Sequence, residues 1–231
     1  MKKMLLVFLY IVGVLLIIVA GLAVILWIKS PGKADPIADL NGNVVAGSIS
    51  TIEKITLGGQ EQYLIIRAKD STKPVMLFLH GGPGSPDIAL MKNSNQAIEK
   101  DFVMVYWEQL GAGKSWSKNI PPGSMNIGKF ISDTRELSIY LANRFKQKKI
   151  YILGHSWGTL LGVLTAHKYP ELFHAYFGVG QVAFQYKAEQ ISFKWVKEQA
   201  NKYNDRDAQK ALSKISFPDS SANDKTWLNG H

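Results

Sequence analysis

The stretch of sequence that decides the fold is residues 150–161, IYILGHSWGTLL. It opens with a short apolar run of the kind that forms a buried strand, and apolar residues continue as a helix after Gly158. Between them Ser156 stands two residues from Gly154 and two from Gly158. A Gly-x-Ser-x-Gly pattern at such a junction typically holds the serine on a sharp, strained turn with its Oγ exposed above the sheet. The pattern predicts that Ser156 is a nucleophile; an ordinary turn with a capping serine is the alternative.

A glycine-rich loop, residues 80–84 (HGGPG), directly follows the apolar run Val75–Leu79. Acyl transfer at a serine passes through a tetrahedral oxyanion, which needs two preorganised N–H donors. We expect one donor to be the backbone N–H of Trp157 and the other to come from Gly81 or Gly82. A histidine at a strand end usually holds a loop in place, so His80 is expected to be structural.

A third motif, residues 106–115, reads YWEQLGAGKS. Its Gly-x-Gly-Lys-Ser ending invites a phosphate-loop interpretation. The required Gly-x-x-x-x-Gly-Lys-Ser/Thr spacing needs a glycine at position 108, which is Glu108. The spacing therefore excludes a nucleotide-binding loop of this type.

Strand and helix signals alternate along most of the chain. They predict a hairpin around Gly58-Gly59, a helix at Pro86–Lys100 and strands at Ile150–Leu153 and Phe173–Val179. This alternation predicts an α/β fold with a mostly parallel sheet and helices on both faces. The helical patterns near the C-terminal end have no strand between them and predict a partial helical cap above the sheet. We expect a membrane anchor at 1–29, a linker at 30–47, an incomplete α/β core at 48–184 and the start of the cap at 185–231.

The N-terminal segment Met4–Ile28 is 25 residues long and carries no charged side chain. A helix of that length exceeds the ~30 Å hydrocarbon core of a bilayer. Lys2 and Lys3 precede it, which favours a single-pass anchor with the rest of the chain outside the cytoplasm and residues 4–28 in contact with lipid. A cleaved signal peptide and a buried soluble helix are the alternatives.

Composition narrows the function classes. The formal net charge is +9, and the chain has no cysteine. The absence of cysteine excludes a disulfide framework, a thiolate nucleophile and a cysteine-ligated zinc site. The basic residues form no stripe interleaved with aromatics, so nucleic acid is not an expected partner.

The three motifs, in this order and spacing, resemble the proline iminopeptidase branch of the α/β-hydrolases. The resemblance covers roughly Ile55–Phe184. It implies an α/β-hydrolase fold, Ser156 as nucleophile, an oxyanion hole made by Gly81 or Gly82 with Trp157, and a cap that begins near Tyr186. It also implies a small peptide or ester substrate and no metal or organic cofactor.

Two departures from that family concern catalysis. Members usually carry aspartate at Glu108 and arginine at Leu110, and they place the acid and the base of the triad after the cap. Neither partner is identifiable here: the remaining histidines and late acids are His155, His167, His174, His231, Glu189, Glu198, Asp205, Asp207, Asp219 and Asp224. Asp133 fits an exposed helix position or a structural contact. We expect a C-terminally truncated family member with an exposed sheet edge, and an inactive remnant or membrane-tethered binding module is the alternative.

Overall fold

The protein is represented by a computed structural model that describes residues 2–29, 32, 34–86, 97–121 and 123–215. The chain divides into two compact units, Met1–Asp35 and Pro36–His231. The two units are considered separately below.

The first unit is helix α1, Lys2–Lys29. Its segment Lys3–Ile28 is strongly apolar, and none of its residues is buried. The helix is long and apolar enough to cross a membrane, and an N-terminal signal sequence meets the same criterion.

The second unit is built on a six-stranded sheet in the order β1-β2-β4-β3-β5-β6. The strands are β1 (Ile49–Leu57), β2 (Gln60–Ala68), β3 (Val75–Leu79), β4 (Val103–Glu108), β5 (Ile150–His155) and β6 (Phe173–Val179). β1 and β2 form the antiparallel hairpin predicted around Gly58-Gly59, and β2 pairs antiparallel with β4. β4, β3, β5 and β6 are mutually parallel. The sheet is therefore mixed, with a parallel part that carries the sequence motifs.

Both faces of the sheet are covered. Helices α2 (Ile127–Arg144) and α3 (Trp157–Lys168) pack on one face, where their apolar side chains join those of the central strands in the main core. A smaller apolar cluster covers the other face beside the 3-10 helix Ile98–Lys100. The helix expected at Pro86–Lys100 falls mostly on residues 87–96, outside the described part.

Asp133 on α2 is a buried residue, so of the two alternatives considered from the sequence the exposed position is wrong and the structural contact is confirmed. Its Oδ2 accepts a hydrogen bond from Gln62 Nε2 at 2.9 Å, and its Oδ1 accepts one from Lys129 Nζ at 2.5 Å. The Gln62 amide oxygen in turn accepts from the indole N–H of Trp107 at 2.9 Å. A buried carboxylate is tolerated only when it is paired in this way, and here it fastens α2 to the sheet.

Beyond the sheet lie helices α4 (Gln185–Lys202) and α5 (Arg206–Leu212). Asp205 caps α5 by accepting a hydrogen bond from the Ala208 N–H at 2.9 Å. Within residues 180–215 the structure contains helix and turn but no strand, as the sequence predicts. The expectations for Asp219, Asp224 and His231 lie outside the described residues.

Strand β6 lies at one end of the described sheet. Phe177 and Val179 on this strand are 45% and 54% exposed. An exposed edge with apolar side chains was expected from the sequence, and the structure has one there.

Candidate active site

Three sequence motifs meet at one edge of the sheet. The loop 80–84 follows β3, Gln109 follows β4, and Ser156 follows β5. These three strands are parallel neighbours, so their carboxyl ends lie side by side. Ligands of open α/β sheets bind at this edge.

The backbone at Ser156 has φ 50° and ψ −118°. A positive φ is uncommon in a residue with a side chain, and its cost is tolerated where the surrounding structure fixes the turn. Here the Ser156 N–H donates to the Val179 carbonyl at 2.9 Å, and the Ser156 carbonyl accepts from the Thr159 N–H at 2.9 Å. The Ser156 side chain makes no capping bond to α3, which argues against the ordinary capping turn.

The two glycines of the motif allow helix α3 to lie directly against the strands. A Cβ at Gly158 would lie 2.0 Å from the carbonyl oxygen of Leu79, and a Cβ at Gly154 would lie 2.4 Å from the carbonyl oxygen of Gly158. Both clashes are with backbone, which no side-chain rotation relieves. The glycines are therefore required by the close approach of strand, turn and helix.

The glycine-rich loop touches the serine. A Cβ built on Gly81 would lie 3.3 Å from the Cβ of Ser156. Gly82 has φ 114°, a conformation that favours glycine. Trp157 is the first residue of α3, and the N–H groups of a helix's first turn have no partner within the helix. The helix dipole also favours negative charge at this end.

His80 joins the loop to the neighbouring strand end. Its Nε2 accepts a hydrogen bond from the Gln109 backbone N–H at 3.2 Å, which places the proton on Nδ1. Nδ1 lies 2.8 Å from the Gly81 carbonyl oxygen and donates to it. The Gln109 side chain returns a bond to the His80 carbonyl at 3.3 Å. These contacts bear out the structural role expected for this buried histidine.

The turn 108–115 uses its own polar groups internally. The Glu108 carboxylate accepts from the Lys114 N–H at 2.6 Å, and its carbon lies 2.6 Å from where a Cβ of Gly113 would sit. Ser115 Oγ donates to the Glu108 carbonyl at 2.5 Å and accepts from the Tyr63 N–H at 2.9 Å. The N–H that a phosphate would use is thus bound to a carboxylate, in line with the spacing argument.

The other described histidines are spread over the domain. His174 is exposed at the start of β6, and its ring lies 5.1 Å from that of Tyr151. Tyr151 precedes Ser156 by five positions along β5, or about 16 Å at ~3.3 Å per residue. His167 is exposed in the last turn of α3, and His155 ends β5 with its Nδ1 facing Gly81.

The described carboxylates that follow β6 lie on or next to helices α4 and α5. Glu189 accepts from Gln185 within α4 at 2.7 Å, and Glu198 lies 4.0 Å from Lys194 on the same helix. Asp207 is exposed in the first turn of α5, beside the capping Asp205.

Sequence reasoning missed two residues of this region. Gln109 lies within a quoted motif, but nothing in its spacing indicates that it clamps His80. Thr159 directly follows the Gly-x-Ser-x-Gly pattern, and its hydroxyl donates to the Ser156 carbonyl at 2.6 Å. A polar side chain in the first turn of an otherwise apolar helix was the available signal.

An α/β sheet of this strand order, with a strained serine turn at the carboxyl end of β5, is typical of hydrolase-like folds. The model of the alpha/beta hydrolase fold family matches residues 74–229, and the chain belongs to that family.

Curated relatives agree with the resemblance seen in the sequence. The chain is 36% identical over 151 residues to the probable aminopeptidase YbaC of Bacillus subtilis (strain 168), covering 65% of this chain and 48% of that protein. It is 30% identical over 111 residues to the proline iminopeptidase of Lactobacillus helveticus (strain DPC 4571), covering 48% and 36% respectively. The chain thus spans about half or less of the length of these relatives.

Solved structures with a similar fold include a proline iminopeptidase-related protein of Thermus thermophilus. It is 22% identical with a TM-score of 0.48, and the match covers 56% of this chain and 44% of that one. The 2-hydroxy-6-oxo-6-phenylhexa-2,4-dienoate hydrolase of Rhodococcus sp. strain RHA1 is 23% identical with a TM-score of 0.49, covering 58% and 47%.

Proposed function

We propose that this protein is a serine hydrolase of small peptides or esters that works through an acyl-enzyme on Ser156. The observation that carries the proposal is the backbone of Ser156, held at positive φ between a strand and a helix with no capping bond from its side chain. Such a turn presents Oγ to a substrate lying over the carboxyl edge of the sheet.

In the proposed reaction, Ser156 Oγ bonds to the substrate's acyl carbon and the carbonyl oxygen becomes an oxyanion. The N–H of Trp157 and that of Gly81 or Gly82 donate to this oxyanion. The leaving amine or alcohol departs with a proton as the acyl-enzyme forms, and water then releases the acid. A general base must take the serine proton. We assign neither the acid nor the base to a residue.

The relatives support a substrate class. One is named a probable aminopeptidase and several are named proline iminopeptidases. We therefore propose peptides with a free N-terminal residue as substrates, with short esters as the second choice. The chain covers under half of these proteins, so the proposal concerns the chemistry of its Ser156 region.

The test is hydrolysis of proline and alanine p-nitroanilides and of p-nitrophenyl acetate by the full chain in detergent. Ser156→Ala should abolish turnover. Ser138→Ala is the matched control, because Ser138 is a buried serine whose Oγ donates to the Thr134 carbonyl on α2, away from the site. Turnover that survives Ser156→Ala would refute the proposal, and a folded wild type with no turnover would favour the inactive binding module.

We also propose that residues 4–28 anchor the protein in lipid as a single span, with the hydrolase domain outside the cytoplasm. The apolar length of α1 and the preceding Lys2 and Lys3 support this orientation.

The chain has no cysteine, so a single Lys118→Cys at an exposed site gives a clean probe of the orientation. An impermeable maleimide should label it in intact cells, whereas labelling only after lysis would reverse the orientation. A mature chain lacking residues 4–28 would identify a cleaved signal peptide.

A further inference from the structure

The turn at Ser156 is linked to the segment that leads into helix α4. Thr159, one turn into α3, is fully buried. Its hydroxyl donates to the Ser156 carbonyl at 2.6 Å and accepts from the Val182 N–H at 2.9 Å. One hydroxyl group therefore bridges the serine turn and a loop that lies three residues before α4.

The Tyr176 hydroxyl supports this bridge through further hydrogen bonds. The Tyr176 hydroxyl lies 3.1 Å from the Thr159 carbonyl oxygen and 2.5 Å from Gln181 Oε1, and its single proton is shared between them. Burial raises the pKa of Tyr176, so the hydroxyl stays protonated and able to donate at neutral pH. The Gln181 amide donates to the Val182 carbonyl at 2.8 Å, which fixes the same residue that Thr159 binds.

Glycines leave room for this arrangement. A Cβ at Gly178 would lie 2.5 Å from Gln181 Oε1 and 2.7 Å from the Tyr176 hydroxyl. Gly180 has φ 63°, and at this residue the chain turns back towards the Ser156 N–H. This N–H donates to the Val179 carbonyl. The loop 179–182 thus holds the strained serine from two sides.

We propose that Thr159 is a positioning residue: its hydroxyl couples the backbone of Ser156 to the loop that begins the helical cap. This inference rests on the proposed function, because it concerns the reactivity of the same serine. A positive φ at Ser156 persists only while neighbouring groups restrain the backbone there. The Thr159 hydroxyl supplies one of these restraints, and the same hydroxyl is the acceptor for the Val182 N–H. Loosening the loop is expected to lower serine reactivity, and ordering it is expected to raise it.

The variants are Thr159→Val, which removes the hydroxyl at nearly constant shape, and Thr159→Ser, which keeps it. Thr165→Val is the matched control. Thr165 is an equally buried threonine on α3, and its hydroxyl donates only to the Leu161 carbonyl of the same helix at 2.8 Å. A loss of stability common to any buried threonine would affect Thr159→Val and Thr165→Val alike.

Two readouts are taken on the full chain in detergent, well below the unfolding temperature. The first is the second-order rate of labelling by a fluorophosphonate, and the second is hydrogen exchange of the Val182 amide. We expect Thr159→Val to label at least tenfold more slowly and to exchange Val182 at least tenfold faster. Thr159→Ser and Thr165→Val should stay within threefold of wild type in both.

The proposal is overturned if Thr159→Val labels and exchanges like wild type, if Thr165→Val changes as much, or if Thr159→Ser fails to restore either readout. Should the wild type label no better than Ser156→Ala, the proposed function fails, and Val182 exchange alone then decides the coupling. Should Thr159→Val fail to fold, Tyr176→Phe takes its place. It removes the supporting hydroxyl, and unchanged Val182 exchange in this variant would count against the coupling.

Discussion

Replacing Gly158 by alanine sets two physical effects against each other. Gly158 is the second residue of helix α3, where alanine favours the helix over glycine by about 1 kcal/mol. Against this, the new Cβ would stand 2.0 Å from the Leu79 carbonyl oxygen and 2.9 Å from that of His80. The nearer contact is about 1.4 Å inside the 3.4 Å at which ordinary van der Waals contact begins. Packing should therefore outweigh helix propensity.

The size of the destabilisation depends on which parts of the structure can move to relieve the clash. Both contacts are backbone of β3 and its end, so relief requires α3 to shift off the sheet or the serine turn to open. Overpacking of well-packed interiors costs roughly 1–3 kcal/mol, and a clash with backbone belongs at the upper end, near 3 kcal/mol. Less the ~1 kcal/mol that alanine gains in the helix, the net loss is about 2 kcal/mol. For a domain of this size that corresponds to a fall in Tm of about 4–8 °C.

The assay is urea unfolding of the full chain in detergent, monitored by tryptophan fluorescence. Gly128→Ala is the control, because Gly128 is also the second residue of a helix and its new Cβ would meet only Asn126 Oδ1, at 3.3 Å. We expect Gly158→Ala to lose about 2 kcal/mol and Gly128→Ala to stay within ~1 kcal/mol of wild type. Equal or greater stability of Gly158→Ala would show that α3 does not lie against β3 as described.

Three further predictions concern other contacts. Asp133→Ala leaves the buried Gln62 amide with only its long 3.5 Å contact to the Leu57 carbonyl and should cost about 2 kcal/mol in urea unfolding, whereas a change under ~0.5 kcal/mol would contradict the buried network. The hydrogen bond from Arg144 lowers the pKa of Glu53, so the stability it contributes is present above the ordinary carboxyl pKa of 4.5 and is lost as pH falls through the lowered value. Glu53→Gln should therefore be about 1 kcal/mol less stable than wild type at pH 7, and the difference should vanish as pH falls below the lowered pKa of Glu53; a difference independent of pH would be evidence against the pair. His80→Ala should slow fluorophosphonate labelling at least tenfold because the glycine-rich loop loses its clamp, and unchanged labelling would remove His80 from the site.

Much of the fold was accessible from the sequence because its strands are short apolar or β-branched runs bounded by turns. β6 agrees with its predicted limits, and β5 extends only two residues beyond its prediction, to His155. The hairpin was marked by Gly58-Gly59, and the parallel arrangement by the alternation of strand and helix. The order of the strands in the sheet could not be predicted from the sequence. β4 lies between β2 and β3 through a crossover that no local pattern encodes, because pairing across it depends on tertiary packing.

The same contrast holds in the candidate site. A local rule predicts Ser156 on a turn, because the flanking glycines follow one another in the chain. The contact of Gly158 with Leu79 and the bond between His80 and Gln109 join residues far apart in sequence, so spacing could not reveal them. For Asp133 the sequence left an exposed position and a structural contact open for a related reason. Its burial depends on a partner, Gln62, that lies 71 residues away.

The most direct test of the account is to find which side chain a fluorophosphonate modifies. The full chain is treated with the probe, digested, and mapped by mass spectrometry. The account predicts one adduct, on Ser156, that is absent from Ser156→Ala and retained in Ser138→Ala. An adduct on another serine, or a folded protein that stays unmodified at saturating probe, would contradict the claim that this turn presents a reactive oxygen.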